Sequence, residues 1–393
     1  MASWRDVPLC GGPVEIRGAL DLERRGSGVL PRRLPAWTRA QYPDAFTDFV
    51  ASMPSGVRLV LRTDATALEL ELLTTVRHFD GAPEPGPAGV LDLLVDGVPF
   101  ARAQAPLGNV LRLAHSRAQG RLLPGGAGTV RFAGLPGGMK ELALWLPQQT
   151  PCELRTLRAD GAVEPPGPAR GRVWVHHGSS ISHCTQADAP TGTWPVVAAA
   201  RAGVEVVNLG MAGNCHLDPY VARTVRDSPA DLISLELGAN PVSRCTFRPR
   251  TFGPAVHGFL DTVRDGHPDT PLLVVSPVFS RTLEAEGGPA AGRAAGGDGS
   301  PAGDPGECAQ DDLTMAFVRD ALSSIVRSRA RTDPALHYLD GRRLFGPRDA
   351  GDQPDGVHPN AAGYRRMGCR FASAVLGPGG ALGPEDGHVS RTA

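Results

Sequence analysis

Residues 172–182 read RVWVHHGSSIS, in which a run of aromatic and β-branched residues leads into a Gly-Ser-Ser turn. Such a short apolar run is typical of a buried strand, and the small residues after it favour a sharp turn into a helix. A serine at the tip of a strand-to-helix turn is expected to be exposed, with its backbone N–H pointing into the space beyond the strand. The stretch therefore predicts a sheet that presents Ser180 at a strand end.

From residue 172 onward, predicted strands and helices alternate along the chain. Apolar strands are predicted at 172–176, 204–209, 231–237, 271–278 and 336–339, and helices at 193–202, 219–226, 252–264, 313–330 and 360–376. This alternation is typical of a parallel sheet covered by helices on both faces. Residues 172–377 are therefore predicted to form an α/β domain, with ligands bound at the carboxyl ends of its strands.

The first 158 residues lack this alternation and have the pattern of an all-β domain. Residues 57–62 (VRLVLR) and 67–72 (ALELEL) alternate apolar with polar side chains, as half-buried strands do. Further short strands, separated by glycine and proline, predict a β-sandwich that resembles a jelly roll. Residues 159–171 are rich in proline and predict a semi-rigid linker between the two domains.

Two segments have a composition that does not favour a packed core. Residues 284–312 consist largely of glycine, alanine and proline, and they predict a disordered insertion in the α/β domain. A substrate lid is the functional alternative for this insertion. Residues 378–393 predict a flexible tail.

Composition narrows the classes of function. The chain has 393 residues, enough for two domains, and a formal net charge of -1. Without a basic excess to neutralise phosphates, the charge argues against a nucleic-acid partner. No apolar run approaches the ~20 residues of a membrane span, and the N-terminal stretch lacks the apolar core of a signal peptide. We therefore expect a cytoplasmic protein, and the wealth of Ala, Gly, Pro and Arg indicates a GC-rich bacterial genome.

The seven cysteines are scattered and never spaced as C-x-x-C, which argues against a disulfide framework or a structural zinc site. Reduced thiols are the simplest interpretation. A metal site is the alternative where histidine and cysteine cluster after two predicted strands, but their order and separation match no standard zinc pattern. These residues are His183, Cys184, Cys215 and His216. We expect them to pack or to line a pocket, and we expect no metal and no cofactor.

Four short blocks lie in order at the ends of predicted elements of the α/β domain. They are His177-Gly-Ser-Ser-Ile-Ser182, Asn208-Leu-Gly-Met-Ala-Gly-Asn214, Leu237-Gly-Ala-Asn240 and Asp355-Gly-Val-His-Pro-Asn360. Each block alone is weak evidence, because turn serines, turn glycines and Asp-x-x-His pairs are common. Their order at successive strand ends is what makes them specific.

The four blocks resemble the signature blocks of the SGNH/GDSL superfamily of esterases, lipases and acyltransferases. The resemblance covers residues 172–377 and implies a flavodoxin-like, three-layer α/β/α domain. It places the nucleophile on Ser180, the Asp-x-x-His pair on Asp355 and His358, and the oxyanion-hole residues on Gly213 and Asn240.

Two positions depart from the family pattern. Ser179 stands where the family usually has the aspartate of Gly-Asp-Ser, and Pro241 stands where an aspartate often follows the asparagine. Neither replaced side chain is a member of the triad, so the implied mechanism is retained. We expect a hydroxyl to hold the first turn in place of a carboxylate.

The chemistry of these residue types supports the same assignment. A serine hydroxyl is a poor nucleophile until a base takes its proton, and His358 can act as that base near neutral pH. Asp355, three residues earlier, can hold the imidazole in the required tautomer. The backbone N–H groups of Ser180 and Gly213, with the Asn240 amide, would stabilise the negative charge of the tetrahedral intermediate.

The sequence leaves the acceptor of the acyl group open. Water would make the protein an ester hydrolase for acylated sugars or other small molecules, whereas an alcohol would make it an acyltransferase. The β-rich domain before the SGNH domain is similar to arrangements in carbohydrate esterases and in bacterial proteins that acylate glycosylated natural products. A third interpretation is a non-catalytic carbohydrate-binding protein on an esterase scaffold, although every expected catalytic position is filled.

Overall fold

The computed structural model of the protein describes residues 4–26, 28–79, 86–113, 120–169, 171–285 and 312–384. The chain divides into two compact units. The first unit is Met1–Ala169 with Asp188–Thr191, and the second is Arg170–Ala187 with Gly192–Ala393. The predicted disordered insertion lies outside the described residues over 286–311, and so does the predicted tail over 385–393.

The first unit consists mainly of short strands. They are β1 Arg5–Val7, β2 Glu15–Arg17, β3 Asp21–Arg25, β4 Gly28–Arg32, β5 Arg58–Thr63, β6 Ala67–Phe79, β7 Val90–Val95, β8 Val98–Gln104, β9 Asn109–Leu113, β10 Gly120–Leu123, β11 Gly128–Ala133, β12 Lys140–Trp145, β13 Cys152–Ala159 and β14 Val163–Glu164. A 3-10 helix, Ala36–Gln41, and helix α1, Ala45–Ser52, lie between β4 and β5. Helix α1 begins where the Asp44 carboxylate accepts the Thr47 N–H at 2.6 Å, as an N-cap does.

Two sheets form from these strands. The larger has the order β10-β9-β6-β13-β4-β3, with β1 paired to β13 and β11 paired to β6. The smaller has the order β14-β5-β12-β7-β8, with β2 paired to β5. Leucines of both sheets belong to one buried cluster, including Leu59 and Leu61 of β5 and Leu68 and Leu70 of β6. The alternating patterns at 57–62 and 67–72 thus gave the correct inward faces, and the all-β sandwich is confirmed.

The second unit alternates strands with helices. Its strands are β15 Val173–Gly178, β16 Glu205–Gly210, β17 Leu232–Glu236, β18 Leu272–Val275 and β19 Leu336–Leu339. Its α-helices are α2 Ser180–His183, α3 Trp194–Ala202, α4 Pro219–Asp227, α5 Ala239–Arg244, α6 Pro249–Gly266, α7 Arg281–Ala285, α8 Met315–Arg329 and α9 Ala361–Phe371. The described residues of this unit also form short 3-10 helices at Gly341–Arg343 and Pro347–Asp352 and a π-helix at Ala372–Leu376.

The five strands of this unit form a parallel sheet in the order β16-β15-β17-β18-β19. In chain order this is 2-1-3-4-5, the strand order of flavodoxin-like domains, so the fold class implied by the family resemblance is confirmed. The order reverses beside β15, where the carboxyl ends of β15, β16 and β17 adjoin. Ligand sites of open α/β sheets lie at such a switch point.

Helices α3 and α9 pack together, and so do α4 and α6. An aromatic cluster attaches the first helix pair to the sheet: Trp174 of β15 stacks on Phe371 of α9 with ring centroids 4.9 Å apart, and Trp194 of α3 lies 5.1 Å from Phe371. Trp194 also donates its indole N–H to the Ile181 carbonyl at 2.9 Å. This cluster therefore fixes helix α2, which begins with Ser180, against the core.

Within the described residues, no helix combines the length and the apolar composition needed to cross a bilayer. Among the residues that the structure describes, the free thiols are Cys10, Cys152, Cys184, Cys215 and Cys369. Cys245 is disulfide-bonded. The prediction that all the cysteines are reduced is therefore wrong at Cys245.

Candidate active site

Ser180 lies at the sharp turn between β15 and α2. The Ser179 hydroxyl caps α2 by accepting the Ile181 N–H at 3.2 Å. The Gly178 carbonyl accepts the Met211 N–H at 2.7 Å, which ties this turn to the segment after β16. Ser180 is only 8% exposed, less than the sequence predicts for a serine at a turn tip. The reason is that its hydroxyl lies against the imidazole of His358.

His358 and Asp355 belong to the loop that precedes helix α9. The imidazole Nε2 lies 2.8 Å from the Ser180 hydroxyl, and its Nδ1 lies 2.7 Å from Asp355 Oδ2. The other carboxylate oxygen of Asp355 accepts the backbone N–H groups of Val357 at 2.9 Å and His358 at 2.7 Å. One short loop thus presents both side chains, and the structure brings Ser180, His358 and Asp355 into a continuous hydrogen-bonded row.

The charge state of Asp355 follows from these contacts. Burial alone would raise the pKa of the Asp355 carboxyl, but the hydrogen bonds and the charge of His358, with the two backbone N–H groups, outweigh it. The pKa therefore lies below its ordinary value, and the group is a carboxylate at neutral pH. A carboxylate at Nδ1 keeps the proton on that nitrogen and leaves Nε2 as an acceptor for the Ser180 proton.

Gly213 and Asn240 follow the two strands that flank β15. Gly213 has a φ of +69°, a left-handed conformation that favours glycine. Asn240 lies in helix α5, which begins directly after Gly238, and Gly238 itself has a φ of +101°. The Asn240 carbonyl oxygen accepts the Cys215 N–H at 3.0 Å, so the side chain is fixed with its amide nitrogen as the end that can donate. This contact joins the second and third sequence blocks at the carboxyl edge of the sheet.

The histidines and cysteines near these blocks bond to protein groups. His183 Nδ1 lies 3.0 Å from the Gly210 carbonyl, and Cys215 Sγ lies 3.3 Å from His177 Nε2. Burial raises the pKa of the Cys184 and Cys215 thiols well above its ordinary value, which disfavours a thiolate. Among the described residues, no group of three or more His, Cys, Asp and Glu side chains is arranged to hold a metal ion.

Sequence reasoning missed a buried polar network beneath Ser180. His176 Nδ1 lies 2.7 Å from the Ser234 hydroxyl, and its Nε2 lies 2.8 Å from the Ser182 hydroxyl. Ser182 also donates to Glu236 at 3.3 Å. Burial lowers the pKa of His176 to about 3, so this imidazole is neutral. The signal in the sequence was a charged residue, Glu236, at the end of the buried and otherwise uncharged strand LISLE.

Comparisons with known proteins agree with this architecture. Residues 177–366 match the model of the GDSL-like lipase/acylhydrolase family, and residues 14–155 match the model of the SsfX3 N-terminal domain. The first match contains Ser180, Gly213, Asn240, Asp355 and His358. A comparison with curated protein sequences gives no match.

Solved structures resemble the chain over nearly its whole length. The salicylyl-acyltransferase SsfX3 from a tetracycline biosynthetic pathway is 28% identical with a TM-score of 0.78, over 93% of this chain and 95% of that one. A GDSL-like lipase from Bacteroides ovatus is 20% identical with a TM-score of 0.66, over 95% and 97% of the two chains. A family two carbohydrate esterase from Clostridium thermocellum is 14% identical with a TM-score of 0.56, over 82% and 92%.

The last two likenesses concern the fold alone, whereas the family models and SsfX3 also match in sequence. Residues 177–366 therefore form a domain of the GDSL-like lipase/acylhydrolase family, residues 14–155 form an N-terminal domain of the SsfX3 type, and the protein is an SGNH-type esterase or O-acyltransferase.

Proposed function

We propose that Ser180, His358 and Asp355 are the catalytic triad of a serine ester hydrolase that acts through an acyl-enzyme on Ser180. The observation that carries this proposal is the unbroken row of contacts, 2.8 Å from Ser180 Oγ to His358 Nε2 and 2.7 Å from His358 Nδ1 to Asp355. Distances of this size are those that a nucleophile, its base and an orienting group need.

Acylation begins when His358 Nε2 takes the Ser180 proton and the hydroxyl oxygen attacks the ester carbonyl carbon. The Asp355 carboxylate stabilises the imidazolium that forms. The tetrahedral intermediate collapses when His358 returns the proton to the departing alcohol. Water or a second alcohol then attacks the acyl-enzyme by the same steps, with His358 again acting as base.

The oxyanion is assigned to the backbone N–H groups of Ser180 and Gly213 and to the Asn240 amide. Two observations support this assignment. Asn240 is held at its carbonyl oxygen by the Cys215 N–H, which fixes the side chain before substrate binds. Gly213 adopts a left-handed conformation in which a side chain would be strained.

A second candidate is transfer of the acyl group to a hydroxyl. The specific observation that favours it is the 28% identity to SsfX3, which is a salicylyl-acyltransferase, over 93% of this chain. Hydrolysis would act on an acylated sugar or another small-molecule ester, whereas transfer would move the acyl group to a hydroxyl of a glycosylated natural product. We also infer a bacterial enzyme from the wealth of Ala, Gly, Pro and Arg.

Hydrolysis of p-nitrophenyl acetate, butyrate and octanoate, with and without an added sugar alcohol, tests the proposal. Release of p-nitrophenol by wild type and its loss in Ser180→Ala supports the acyl-enzyme. An acylated sugar alcohol, detected by mass spectrometry, identifies transfer as the second step. Activity that survives in Ser180→Ala would contradict the assigned nucleophile.

A further inference from the structure

Glu236, the last residue of strand β17, is a carboxyl group in the core of the second unit. It is 2% exposed, and one of its oxygens, Oε2, accepts the Ser179 backbone N–H at 2.7 Å and the Ser182 hydroxyl at 3.3 Å. Its second oxygen, Oε1, has no hydrogen-bond partner among the residues that the structure describes. The carboxyl group is therefore directed at the serine turn by one oxygen.

The two contacts of Oε2 flank Ser180 on both sides. Ser179 directly precedes Ser180, whose hydroxyl faces His358, and Ser182 follows Ser180 by two residues in helix α2. The turn has little freedom to move while both contacts are made, because each one fixes a different end of the segment. The position of the Ser180 hydroxyl relative to His358 thus depends on the Glu236 carboxyl group.

Gly178 gives the carboxyl group room to approach. A Cβ atom at this position would lie 2.7 Å from Glu236 Oε2 and 2.3 Å from the Ser182 hydroxyl. Both distances are far shorter than a van der Waals contact. The glycine of the turn is therefore needed for the Glu236 contact, although its φ is not in the left-handed region.

A buried carboxyl group in this position is costly. Burial raises the pKa of Glu236, and the hydrogen bonds from Ser179 and Ser182 only partly oppose the shift. An apolar side chain would complete the strand at less cost, since the other four residues of β17 are buried and uncharged. The carboxyl group offsets this cost by accepting hydrogen bonds from the serine turn.

The turn itself offers a second clue. Ser179 stands where related enzymes usually carry the aspartate of Gly-Asp-Ser, and the sequence predicts that a hydroxyl holds the turn in place of that carboxylate. The Ser179 hydroxyl does cap α2, but a carboxyl group also reaches the turn, from a neighbouring strand 57 residues later in the chain.

We propose that Glu236 is a positioning residue that holds the turn from Ser179 to Ser182 and so sets the Ser180 hydroxyl against His358. The inference rests on the proposed nucleophilic role of Ser180. It predicts that one carboxyl group holds the turn, either Glu236 of strand β17 or an aspartate placed at position 179. Two carboxyl groups at the turn together should disturb it.

Four single variants and one double variant test this role. Glu236→Met removes the acceptor and keeps the length of the side chain, Glu236→Gln keeps an acceptor oxygen, and Glu236→Asp draws the acceptor back by one methylene. Ser179→Asp is made alone and together with Glu236→Met. Asp333→Ala is the control, because it removes two Arg264 contacts of 2.8 and 3.0 Å at the amino end of the sheet.

The measurements are kcat and KM with p-nitrophenyl acetate and the rate at which an organophosphonate labels Ser180. A displacement of the nucleophile by about 1 Å can cost on the order of 100-fold, so Glu236→Met should lose roughly 10- to 100-fold in kcat and in labelling rate. KM should stay within twofold. Glu236→Gln should stay within about threefold of wild type, and the control should keep wild-type kcat.

Ser179→Asp alone should be slow, because it places a second carboxyl group beside Glu236, and adding Glu236→Met should make it faster. This reversal is a readout that a merely structural role would not give. The proposal is overturned if folded Glu236→Met keeps kcat within twofold, or if Glu236→Gln is as slow as Glu236→Met. Should Glu236→Met fail to fold, Glu236→Asp decides: an unchanged kcat overturns the proposal, and a slow enzyme with unchanged KM supports it.

The labelling experiment separates this inference from the proposed function. If the probe does not label wild type at Ser180, the assigned nucleophile is wrong, and the role of Glu236 falls with it. If wild type and Glu236→Met are labelled at Ser180 at equal rates, the nucleophile stands and only the positioning role is wrong.

Discussion

The Asn240 carboxamide has two separable contacts, which makes it the most informative position for testing the assigned oxyanion site. Its oxygen accepts the Cys215 N–H at 3.0 Å, and its amide nitrogen is proposed to donate to the oxyanion. Asn240→Ala removes both groups. Asn240→Asp keeps an oxygen for Cys215 and replaces the donor by a second oxygen.

The expected magnitudes differ for rate and stability. Loss of one oxyanion donor typically costs about 10²–10³ in kcat, which corresponds to about 2.7–4 kcal/mol. KM should change little, because the contact forms in the transition state. Asn240→Ala also leaves the buried Cys215 N–H without its acceptor, which costs about 1–3 kcal/mol of folding free energy. Asn240→Asp should lose at least as much rate, because an oxygen then faces the oxyanion.

The assay is initial-rate hydrolysis of p-nitrophenyl acetate, paired with urea unfolding of the same preparations. Asp44→Ala is the stability-matched control: it removes the 2.6 Å cap of helix α1 in the first unit and should cost about 0.5–2 kcal/mol without changing kcat. An Asn240→Ala or Asn240→Asp enzyme with kcat within tenfold of wild type would refute the oxyanion assignment.

Four further variants test other parts of the account. Asp355→Ala should lower kcat for p-nitrophenyl acetate by at least roughly 100-fold, but less than Ser180→Ala, because the loop still holds His358 in part; a wild-type rate would contradict the triad. The lowered pKa of Asp355 also makes its contribution to stability full above the unfolded pKa and lost as the pH falls through the folded value, so Asp355→Asn should flatten the decline in thermal midpoint below about pH 4. Asp218 differs in sign: burial raises its pKa to about 6, so the native state loses stability as the pH rises from about 4 to 6. Asp218→Asn should therefore raise the free energy of unfolding at pH 8 by up to roughly 3 kcal/mol, and raise the thermal midpoint with it. At pH 4 the substitution should give no such gain, and equal gains at both pH values would contradict this reasoning. Lys140 is buried and donates to the carbonyls of Ala65 at 2.7 Å, Gly138 at 3.2 Å and Thr63 at 3.3 Å, so Lys140→Met should cost about 1–3 kcal/mol in urea unfolding with kcat unchanged, and an unchanged unfolding midpoint would show that these contacts contribute nothing.

The parallel sheet and the row of Ser180, His358 and Asp355 could be predicted because their signals are local in the sequence. Apolar residues recur with different periods in strands and helices, so the alternation of strands and helices over 172–377 can be recognised without any knowledge of contacts. The order of the four blocks then places them at one edge of the sheet. The Asp-x-x-His spacing lets a single loop carry two of the three side chains.

The short strands of the first unit could not be predicted in the same way. Strands β1, β2 and β3 are three to five residues long, with the sequences RDV, EIR and DLERR, and all their residues except Val7 are exposed or half-buried. A period of two cannot be recognised over so few, mostly polar residues. Backbone pairing holds them as strands: β1 pairs with β13, β2 with β5 and β3 with β4. Strands β13 and β5 lie far from their partners in the sequence, and β4 has no apolar alternation of its own.

Helix α6 shows how a terminal signal can be misjudged. The apolar periodicity predicts a start at residue 252, whereas the helix begins at Pro249. Proline is well suited to the first turn, where its missing N–H has no helical partner to lose. The fixed φ of proline, rather than apolar periodicity, thus marks the start of this helix.

Glu236 illustrates the limit of sequence reasoning at the site. Its charge within an apolar strand was visible, but its partner, the Ser179 N–H, lies 57 residues earlier and is a backbone group. A backbone donor carries no sequence signal. The low exposure of Ser180 was missed for a related reason, since the side chain that lies against it, His358, comes from 178 residues later.

The central claim is that Ser180 is the nucleophile activated by His358. The most direct test is intact-mass and peptide-mapping analysis after incubation of wild type, Ser180→Ala and His358→Ala with an organophosphonate probe. The account predicts one adduct per wild-type chain, located on Ser180, no adduct on Ser180→Ala and greatly slowed labelling of His358→Ala. An adduct on another residue, or labelling of His358→Ala at the wild-type rate, would contradict it.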